Sequence, residues 1–315
     1  MKPAFIIISS VCFAAALSLS CESTGGSVKQ VYDDAPEFTA AAYDKAISSG
    51  SWIEDNIHYT FKGTSANVPV QIYFPKEYVK GKKTRAVIVL HGYRGGKRDW
   101  QANTSIVSYA NKYGMVLVCP AMANTIYETA YYPQTTNKWG PLPGGRFIVQ
   151  TLVPWLNKRY SIAKDKSLTG IMGNSTGGRG AVLAAETAPD MFCAAAGLSG
   201  DYDPEGMPRN RLLAAVYGEY KNFADRWATA DNPMKQAEAL KGIPVYIGHG
   251  NKDGVVPLEQ SLIFAMKLRQ LNKEQGNYSV TYKEYAYSLH DWTFWNRALP
   301  EVMRFFDENL AKTNE

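Results

Sequence analysis

The chain has 315 residues, of which 45% are hydrophobic and 20% are charged, and its formal net charge is +5 at pH 7. This length and apolar content suffice to bury one large core. The positive charge is small and scattered, and no basic run is interleaved with aromatic residues, which excludes a nucleic-acid-binding protein.

The N-terminus has the composition of a signal peptide over residues 1–20. Lys2 supplies a positive n-region, and residues 4–19 form an apolar h-region that is too short for a membrane span. Cys21 follows Ser-Leu-Ser, which predicts lipid attachment at this cysteine; ordinary cleavage is the alternative, because Ser-Leu-Ser is also small-x-small. Residues 21–50 are interpreted as a tether and N-terminal segment. We expect an exported protein of the periplasm or cell envelope, with a lipid anchor as its contact with the membrane.

Strands and helices alternate over residues 51–315, which we interpret as one domain. Apolar patterns predict strands near 57–62, 68–74, 86–90, 115–119 and 191–198, and helices near 99–112, 146–160, 258–272 and 292–311. Residues 120–143 are expected to form a long loop, and residues 203–241 an insertion over the site. This alternation predicts an α/β fold with a mostly parallel sheet covered by helices on both faces.

A candidate nucleophile lies in Gly173-Asn-Ser-Thr-Gly177, between an apolar strand and a helix of small residues. This is the G-x-S-x-G nucleophile elbow, in which the serine occupies a sharp turn so that its hydroxyl is exposed. Gly173 and Gly177 are expected to let two backbone segments pass closely. The motif therefore predicts Ser175 as a catalytic nucleophile.

A nucleophilic serine needs a base and an acid to orient that base. Asp253 lies in a polar loop after an apolar strand, and His290 follows the end of a later strand. We predict that His290 accepts the proton of Ser175 and that Asp253 fixes the imidazole tautomer. Asp253 as an ordinary Asp-Gly turn residue is the alternative, and Asp201 and Asp203 are rival acids.

Two other histidines are given structural roles, His249 as a buried residue beside the acid loop and His58 as an unrelated strand residue.

The oxyanion hole is predicted from the backbone amide of Thr176 and from that of Tyr93. Tyr93 lies in the glycine-rich turn that follows the apolar strand ending at Leu90.

The chain resembles the esterase D branch of the α/β-hydrolases, which includes S-formylglutathione hydrolases, feruloyl and acetyl-xylan esterases and mycolyltransferases. The resemblance covers about residues 55–310. It rests on His91-Gly-Tyr-Arg-Gly-Gly, Gly173-Asn-Ser-Thr-Gly-Gly-Arg-Gly-Ala181, Gly197-Leu-Ser-Gly-Asp201, His249-Gly-Asn-Lys-Asp253 and His290-Asp-Trp-Thr-Phe-Trp295. It implies the α/β-hydrolase fold with the catalytic order Ser, Asp, His. In the strand order of that fold, Cys119 and Cys193 lie on strands that are not neighbours, so we expect two buried free thiols.

Two positions depart from many members of this branch. Thr176 stands where they carry Met or Leu after the nucleophile, and Gln150-Thr-Leu152 stands near a position that is often acidic. Neither departure removes a catalytic group. Both weaken the inference that this chain acts on the same substrate as any one relative.

The predicted reaction is hydrolysis of a carboxylic ester: an acylated carbohydrate, a feruloyl or acetyl ester or a short-chain ester. No cofactor and no metal is expected. Substrate contacts are predicted for His91, Arg94, Trp139 and Trp292, whereas Trp100 and Trp295 are expected in the core. An acyltransferase or serine peptidase of the same fold and a non-catalytic envelope binding protein remain as alternatives.

Overall fold

One mixed β-sheet runs through the part of the chain that the computed structural model describes, residues 37–38, 49–140, 142–229 and 231–313. Within these residues the sheet has nine strands: β1 (Glu37–Phe38), β2 (Ser51–Phe61), β3 (Thr64–Phe74), β4 (Arg85–Leu90), β5 (Met115–Pro120), β6 (Thr169–Asn174), β7 (Ala194–Leu198), β8 (Val245–Gly250) and β9 (Val280–Tyr285). The predicted signal peptide and the lipid attachment at Cys21 lie outside the described residues.

The spatial order of the strands is β1-β2-β3-β5-β4-β6-β7-β8-β9. Strands β5, β4, β6, β7, β8 and β9 are parallel, and β1, β2 and β3 add an antiparallel edge. Because all parallel neighbours point the same way, the loops after β4, β6, β7 and β8 meet at one edge of the sheet. The prediction of a mostly parallel α/β fold is confirmed.

Helices cover both faces of the sheet. They are α1 (Asp99–Asn103), α2 (Ile106–Tyr113), α3 (Gly144–Phe147), α4 (Val153–Tyr160), α5 (Thr176–Thr187), α6 (Arg211–Tyr217), α7 (Tyr220–Trp227), α8 (Pro233–Gln236), α9 (Leu258–Gln275) and α10 (Trp292–Asn309). Successive residues of β4 point to opposite faces, so Ile88 packs in the core beneath α4, α5 and α9, and Val89 packs beneath α2 and α10. No helix among the described residues is both long and apolar enough to cross a membrane.

Four predicted elements, two strands and two helices, differ from the structure. The first two strands are longer than predicted and form a hairpin, because Lys62 and Gly63 adopt φ of 48° and 77° and close a tight turn. The predicted helix 99–112 is two helices, since the Thr104 hydroxyl donates to the Trp100 carbonyl, 2.5 Å away, where α1 ends. The predicted helix 146–160 contains a π-helical turn, Ile148–Leu152, immediately before Pro154, which has no amide to donate.

The two cysteines of the described region are free thiols, as the resemblance implied. Cys119 belongs to β5 and Cys193 precedes β7, and β4 and β6 separate these strands. Cys119 is buried as expected, but the expected burial of Cys193 is wrong: this residue precedes β7 and is only half-buried beneath the end of α10.

Candidate active site

The turn between β6 and α5 places Ser175 at the carboxyl edge of the sheet. Ser175 has φ of 54° and ψ of −127°, a conformation that side chains other than glycine rarely adopt. Its amide donates to the Leu198 carbonyl of β7 at 2.7 Å, which anchors the turn to the neighbouring strand. The sharp turn therefore presents the Ser175 hydroxyl at the end of the strand, as the elbow motif predicts.

The two glycines of the elbow are required by the close approach of backbone segments. A Cβ atom at Gly173 would lie 2.3 Å from the Gly177 carbonyl oxygen, and one at Gly177 would lie 2.5 Å from the His91 carbonyl oxygen. Real Cβ atoms do not approach backbone oxygens so closely. The elbow is thus packed directly against the turn that follows β4.

A continuous chain of hydrogen bonds joins three residues that are far apart in sequence. The Ser175 hydroxyl lies 2.9 Å from His290 Nε2, and His290 Nδ1 lies 2.7 Å from Asp253 Oδ2. Because a carboxylate only accepts, Nδ1 carries the imidazole proton and Nε2 is left to accept from the Ser175 hydroxyl. This is the nucleophile, base and orienting acid arrangement that acyl transfer requires.

The side chain of Asp253 is fully buried, and its carboxylate accepts from four donors. Its Oδ1 accepts from the amides of Val255 and Val256, both at 2.9 Å, and its Oδ2 lies 3.2 Å from His249 Nε2 as well as near His290. Burial by itself raises the pKa of Asp253, but the hydrogen bonds from His249 and His290 outweigh it and hold that pKa well below its usual range. The carboxylate therefore stays ionised beside His290.

His249 acts on the site through this carboxylate. Its Nε2 faces the Val256 carbonyl at 3.1 Å, so Nε2 carries the proton, and its Nδ1 accepts from the Ser261 hydroxyl at 2.7 Å. The sequence placed His249 beside the acid loop, but its direct contact with Asp253 was not foreseen. The four-residue spacing of the two side chains around a tight turn was the available signal.

The rival acids lie elsewhere. Asp201 is directed toward the same cavity, but its closest cationic atom is Arg179 Nε at 3.8 Å, and His290 Nδ1 is already bonded to Asp253. Asp203 begins a 3₁₀ turn, Pro204–Gly206, outside the cavity wall. The structure thus brings Asp253, and neither rival, into contact with His290.

The turn after β4 faces Ser175. A Cβ atom at Gly92 would lie 3.2 Å from the Ser175 Cβ, so only glycine fits there without displacement. The Arg94 amide donates to the Ala123 carbonyl at 2.8 Å, and Arg94 has φ of 63°. Within the described part of the chain, the amides of Tyr93 and Thr176 have no backbone or side-chain acceptor, and both residues line the cavity around Ser175. Both amides are thus free to bind an oxyanion.

The cavity around Ser175 has a volume of about 340 Å³. Its wall combines a polar part, which includes Asn174 and Asp201, with apolar side chains contributed by the inserted segment, by the loop after β8 and by the start of α10. The apolar residues are Leu212, Leu213, Val255, Val256, Trp292 and Trp295. The insertion therefore covers the site, as predicted, but the sequence did not indicate which of its residues do so.

Of the four residues predicted to contact substrate, Trp292 alone lines the cavity. Trp292 lines it and packs edge-on against Trp100 and Trp295, at centroid distances of 5.3 and 4.9 Å. Trp100 is in the core as expected, whereas Trp295, although buried, also reaches the cavity wall and meets the His290 ring at 5.3 Å. Arg94 is exposed and lies over the Tyr93 ring, outside the wall.

Two further residues predicted to contact substrate, His91 and Trp139, do not line the cavity. His91 is 1% exposed, and its Nε2 accepts from the Met122 amide at 2.8 Å while its Nδ1 donates to the Gly92 carbonyl at 2.6 Å. Burial lowers its pKa, against the opposing effects of Gly92 and Asp99. His91 is thus a neutral residue that shapes the turn from inside. Trp139 packs edge-on against Phe147, 5.0 Å between centroids, because the loop folds back onto the core.

Arg179 is a buried cation near the site, and no sequence motif predicted a role for it. It is fully buried in α5, and its guanidinium donates to the Ile126 carbonyl at 2.7 Å, to the Tyr217 hydroxyl and to the Asp231 carbonyl. One cation thereby connects the elbow helix, the 120–143 loop and the insertion. The signal was a single charge within a helix of small and apolar residues.

In the described regions no three His, Cys, Asp or Glu side chains converge as metal ligands.

Comparison with known proteins gives a consistent result. Residues 62–306 match the family model for esterases, described as "Putative esterase". The chain is 24% identical over 249 residues to the diacylglycerol acyltransferase/mycolyltransferase Ag85B of Mycobacterium leprae, covering 70% of this chain and 74% of that protein. It is 23% identical over 248 residues to an acetyl esterase of Caldicellulosiruptor saccharolyticus, covering 73% and 86%.

The fold is also found in solved structures. The S-formylglutathione hydrolase of Staphylococcus aureus superposes with a TM-score of 0.64 at 18% identity, covering 82% of this chain and 98% of that chain.

Proposed function

Because the chain belongs to the esterase family, we propose that it is an exported serine esterase that hydrolyses a carboxylic ester through an acyl-enzyme on Ser175. The proposed substrate is an acylated carbohydrate, a feruloyl or acetyl ester, or another short-chain ester. The observation that carries this proposal is the hydrogen-bonded chain from Ser175 through His290 to Asp253 at the floor of an open cavity.

The proposed reaction has two halves. Ser175 Oγ attacks the ester carbonyl carbon while His290 Nε2 accepts the hydroxyl proton, and the oxyanion is held by the amides of Tyr93 and Thr176. The intermediate then collapses, and the alcohol leaves with the proton from His290. Water repeats the sequence on the acyl-enzyme, releasing the acid and restoring Ser175. Asp253 stabilises the imidazolium in both halves.

Measuring the rate at which the purified protein hydrolyses a series of esters tests this proposal. We expect turnover of acetyl, butyryl, octanoyl or feruloyl esters by residues 22–315, and loss of that turnover in Ser175→Ala with an unchanged melting temperature. The dependence on acyl length measures the acyl-binding part of the cavity. Turnover that survives in Ser175→Ala would refute the proposed nucleophile, and a folded protein without turnover would favour a peptidase, a transferase or a binding protein.

Acyl transfer is a second candidate, favoured by the similarity to the mycobacterial acyltransferase. The acyl-enzyme is common to both reactions, and a second alcohol competes with water for it. Adding glycerol or a free sugar to the ester assay separates the two functions. A transferase yields a new ester in proportion to the added alcohol, whereas a hydrolase yields the free acid.

Export and lipid attachment at Cys21 are proposed from the N-terminal sequence. Labelling with a fatty acid in a bacterial host should mark the wild-type protein and should not mark Cys21→Ser. Equal labelling of both proteins, or none, would leave ordinary cleavage as the better interpretation.

A further inference from the structure

Asp201 is a buried carboxyl group on the cavity floor that the proposed mechanism does not use. It follows β7, next to the strand that carries Ser175, and it is 6% exposed. No side chain in the described part of the chain donates a hydrogen bond to it, and Arg179 Nε at 3.8 Å is beyond hydrogen-bond distance. The accessible edge of this carboxyl group borders the cavity around Ser175.

A carboxyl group in this position lacks the donors that buried carboxyl groups require. Burial raises the pKa of Asp201, and the charge of Arg179, the residue's own amide and the charge of His290 oppose that rise only in part. Asp253, by comparison, receives two amides and two imidazoles. Buried polar groups in proteins are nearly always hydrogen-bonded. The Asp201 carboxyl group receives no side-chain hydrogen bond, and a ligand in the adjoining cavity can supply one.

The neighbouring floor residue has the same deficit. Asn174 is 1% exposed, lines the cavity, and its Oδ1 has no hydrogen-bond donor among the described residues. The Asn174 Oδ1 atom and the Asp201 carboxyl group thus both belong to residues that line the cavity around Ser175, and neither receives a side-chain hydrogen bond among the described residues. Asp99 and Asn210 also line the cavity, but Asp99 accepts from the Gly96 amide and Asn210 from the amides of Leu212 and Leu213. The apolar side chains of Leu212, Leu213 and Trp292 suit the acyl part of an ester.

We propose that Asp201 binds a hydroxyl group on the alcohol part of the substrate, which makes the protein selective for esters of polyhydroxylated alcohols such as sugars. This rests on the proposed esterase function and narrows its substrate class. A hydroxyl group supplies the missing donor without bringing in charge. The buried Arg179 already balances the carboxylate, so a cationic substrate gains little, and an anionic one is repelled.

Two esters of the same acid test this inference: the ethyl ester and the glucose 6-ester. The acid is whichever of acetate, butyrate, octanoate and ferulate the wild type hydrolyses fastest. Both are esters of primary alcohols, and they differ in the sugar hydroxyl groups. We expect Asp201→Ala to lower kcat/KM for the glucose ester at least about tenfold, with less than about a threefold change for the ethyl ester. Asp201→Asn keeps an acceptor but no charge, and we expect an intermediate loss on the glucose ester.

Asp203→Ala is the matched control, because it makes the same substitution two residues away and outside the cavity wall. It should leave both esters unchanged. If Asp201→Ala does not fold, Asp201→Asn decides the question alone. An equal loss on both esters would mean that Asp201 serves the chemistry or the fold, and no loss on either would mean that it touches no substrate; both results overturn the inference.

The ethyl ester also separates this inference from the proposed function. If wild-type protein hydrolyses the ethyl ester but not the glucose ester, only the selectivity inference falls. If it hydrolyses neither, the esterase proposal falls, and the inference falls with it.

Discussion

Replacing Arg179 with methionine should destabilise the protein by about 3–5 kcal/mol, the usual cost of removing one partner from a buried charged network. Methionine keeps an unbranched apolar stem but lacks the guanidinium group. It removes the donors to the Ile126 carbonyl, the Tyr217 hydroxyl and the Asp231 carbonyl, and it leaves the Asp201 carboxyl group without its cation. Each hydrogen bond from the charged guanidinium contributes about 1.5–3 kcal/mol, so the loss of all three at the lower value, about 4.5 kcal/mol, accounts for this range.

Urea and thermal unfolding measure the effect. A domain of this size loses about 2–4 °C of melting temperature for each kcal/mol, which predicts a drop of roughly 6–20 °C. Arg304→Met is the matched control, because Arg304 is largely exposed and its partner Glu308 lies 3.7 Å away in solvent. The control should change stability by less than about 0.5 kcal/mol. A loss in Arg179→Met no larger than the loss in the control would refute the view that this network holds the insertion to the elbow.

Three other substitutions have defined outcomes. Asp253→Asn should lower kcat/KM about 10³- to 10⁴-fold at unchanged KM, because an amide no longer fixes the His290 tautomer; a loss below tenfold in steady-state assays would argue against this acid. Gly177→Ala should abolish ester turnover and lower the melting temperature, since its Cβ would lie 2.5 Å from the His91 carbonyl oxygen; near-normal activity would contradict that packing. Burial raises the pKa of Glu128 to about 7, above its unfolded value, so wild-type stability should fall as pH rises from about 4 to 7, by up to about 1.4 kcal/mol per pH unit. Glu128→Gln should remove that slope in urea titrations, and an unchanged slope would assign it to other groups.

The sequence predicted the parts of the fold and site that depend on near neighbours. Apolar runs identified the parallel strands because their side chains are buried on both faces. The elbow was recognisable because a sharp strand-to-helix turn around Ser175 needs small residues within two positions on either side. The errors in helix boundaries have equally local causes, but they involve side-chain bonds such as that of Thr104, which composition does not reveal.

The choice among polar residues at the site required the tertiary structure. His91 and Trp139 were predicted to contact substrate, but both are directed inward because their loops fold back over the sheet. In the same way, the buried position of Arg179 depends on three distant segments converging on α5.

The sequence by itself determined the α/β alternation, the strained serine turn and the order in which Ser175, Asp253 and His290 appear, because each is encoded within a few residues. Tertiary structure alone decided that Asp253, rather than Asp201, contacts His290. Both aspartates follow adjacent parallel strands and end at the same edge of the sheet. Their roles differ because the loop after β8 carries its carboxylate to His290 Nδ1, whereas the turn after β7 leaves Asp201 beside Arg179 and facing the cavity.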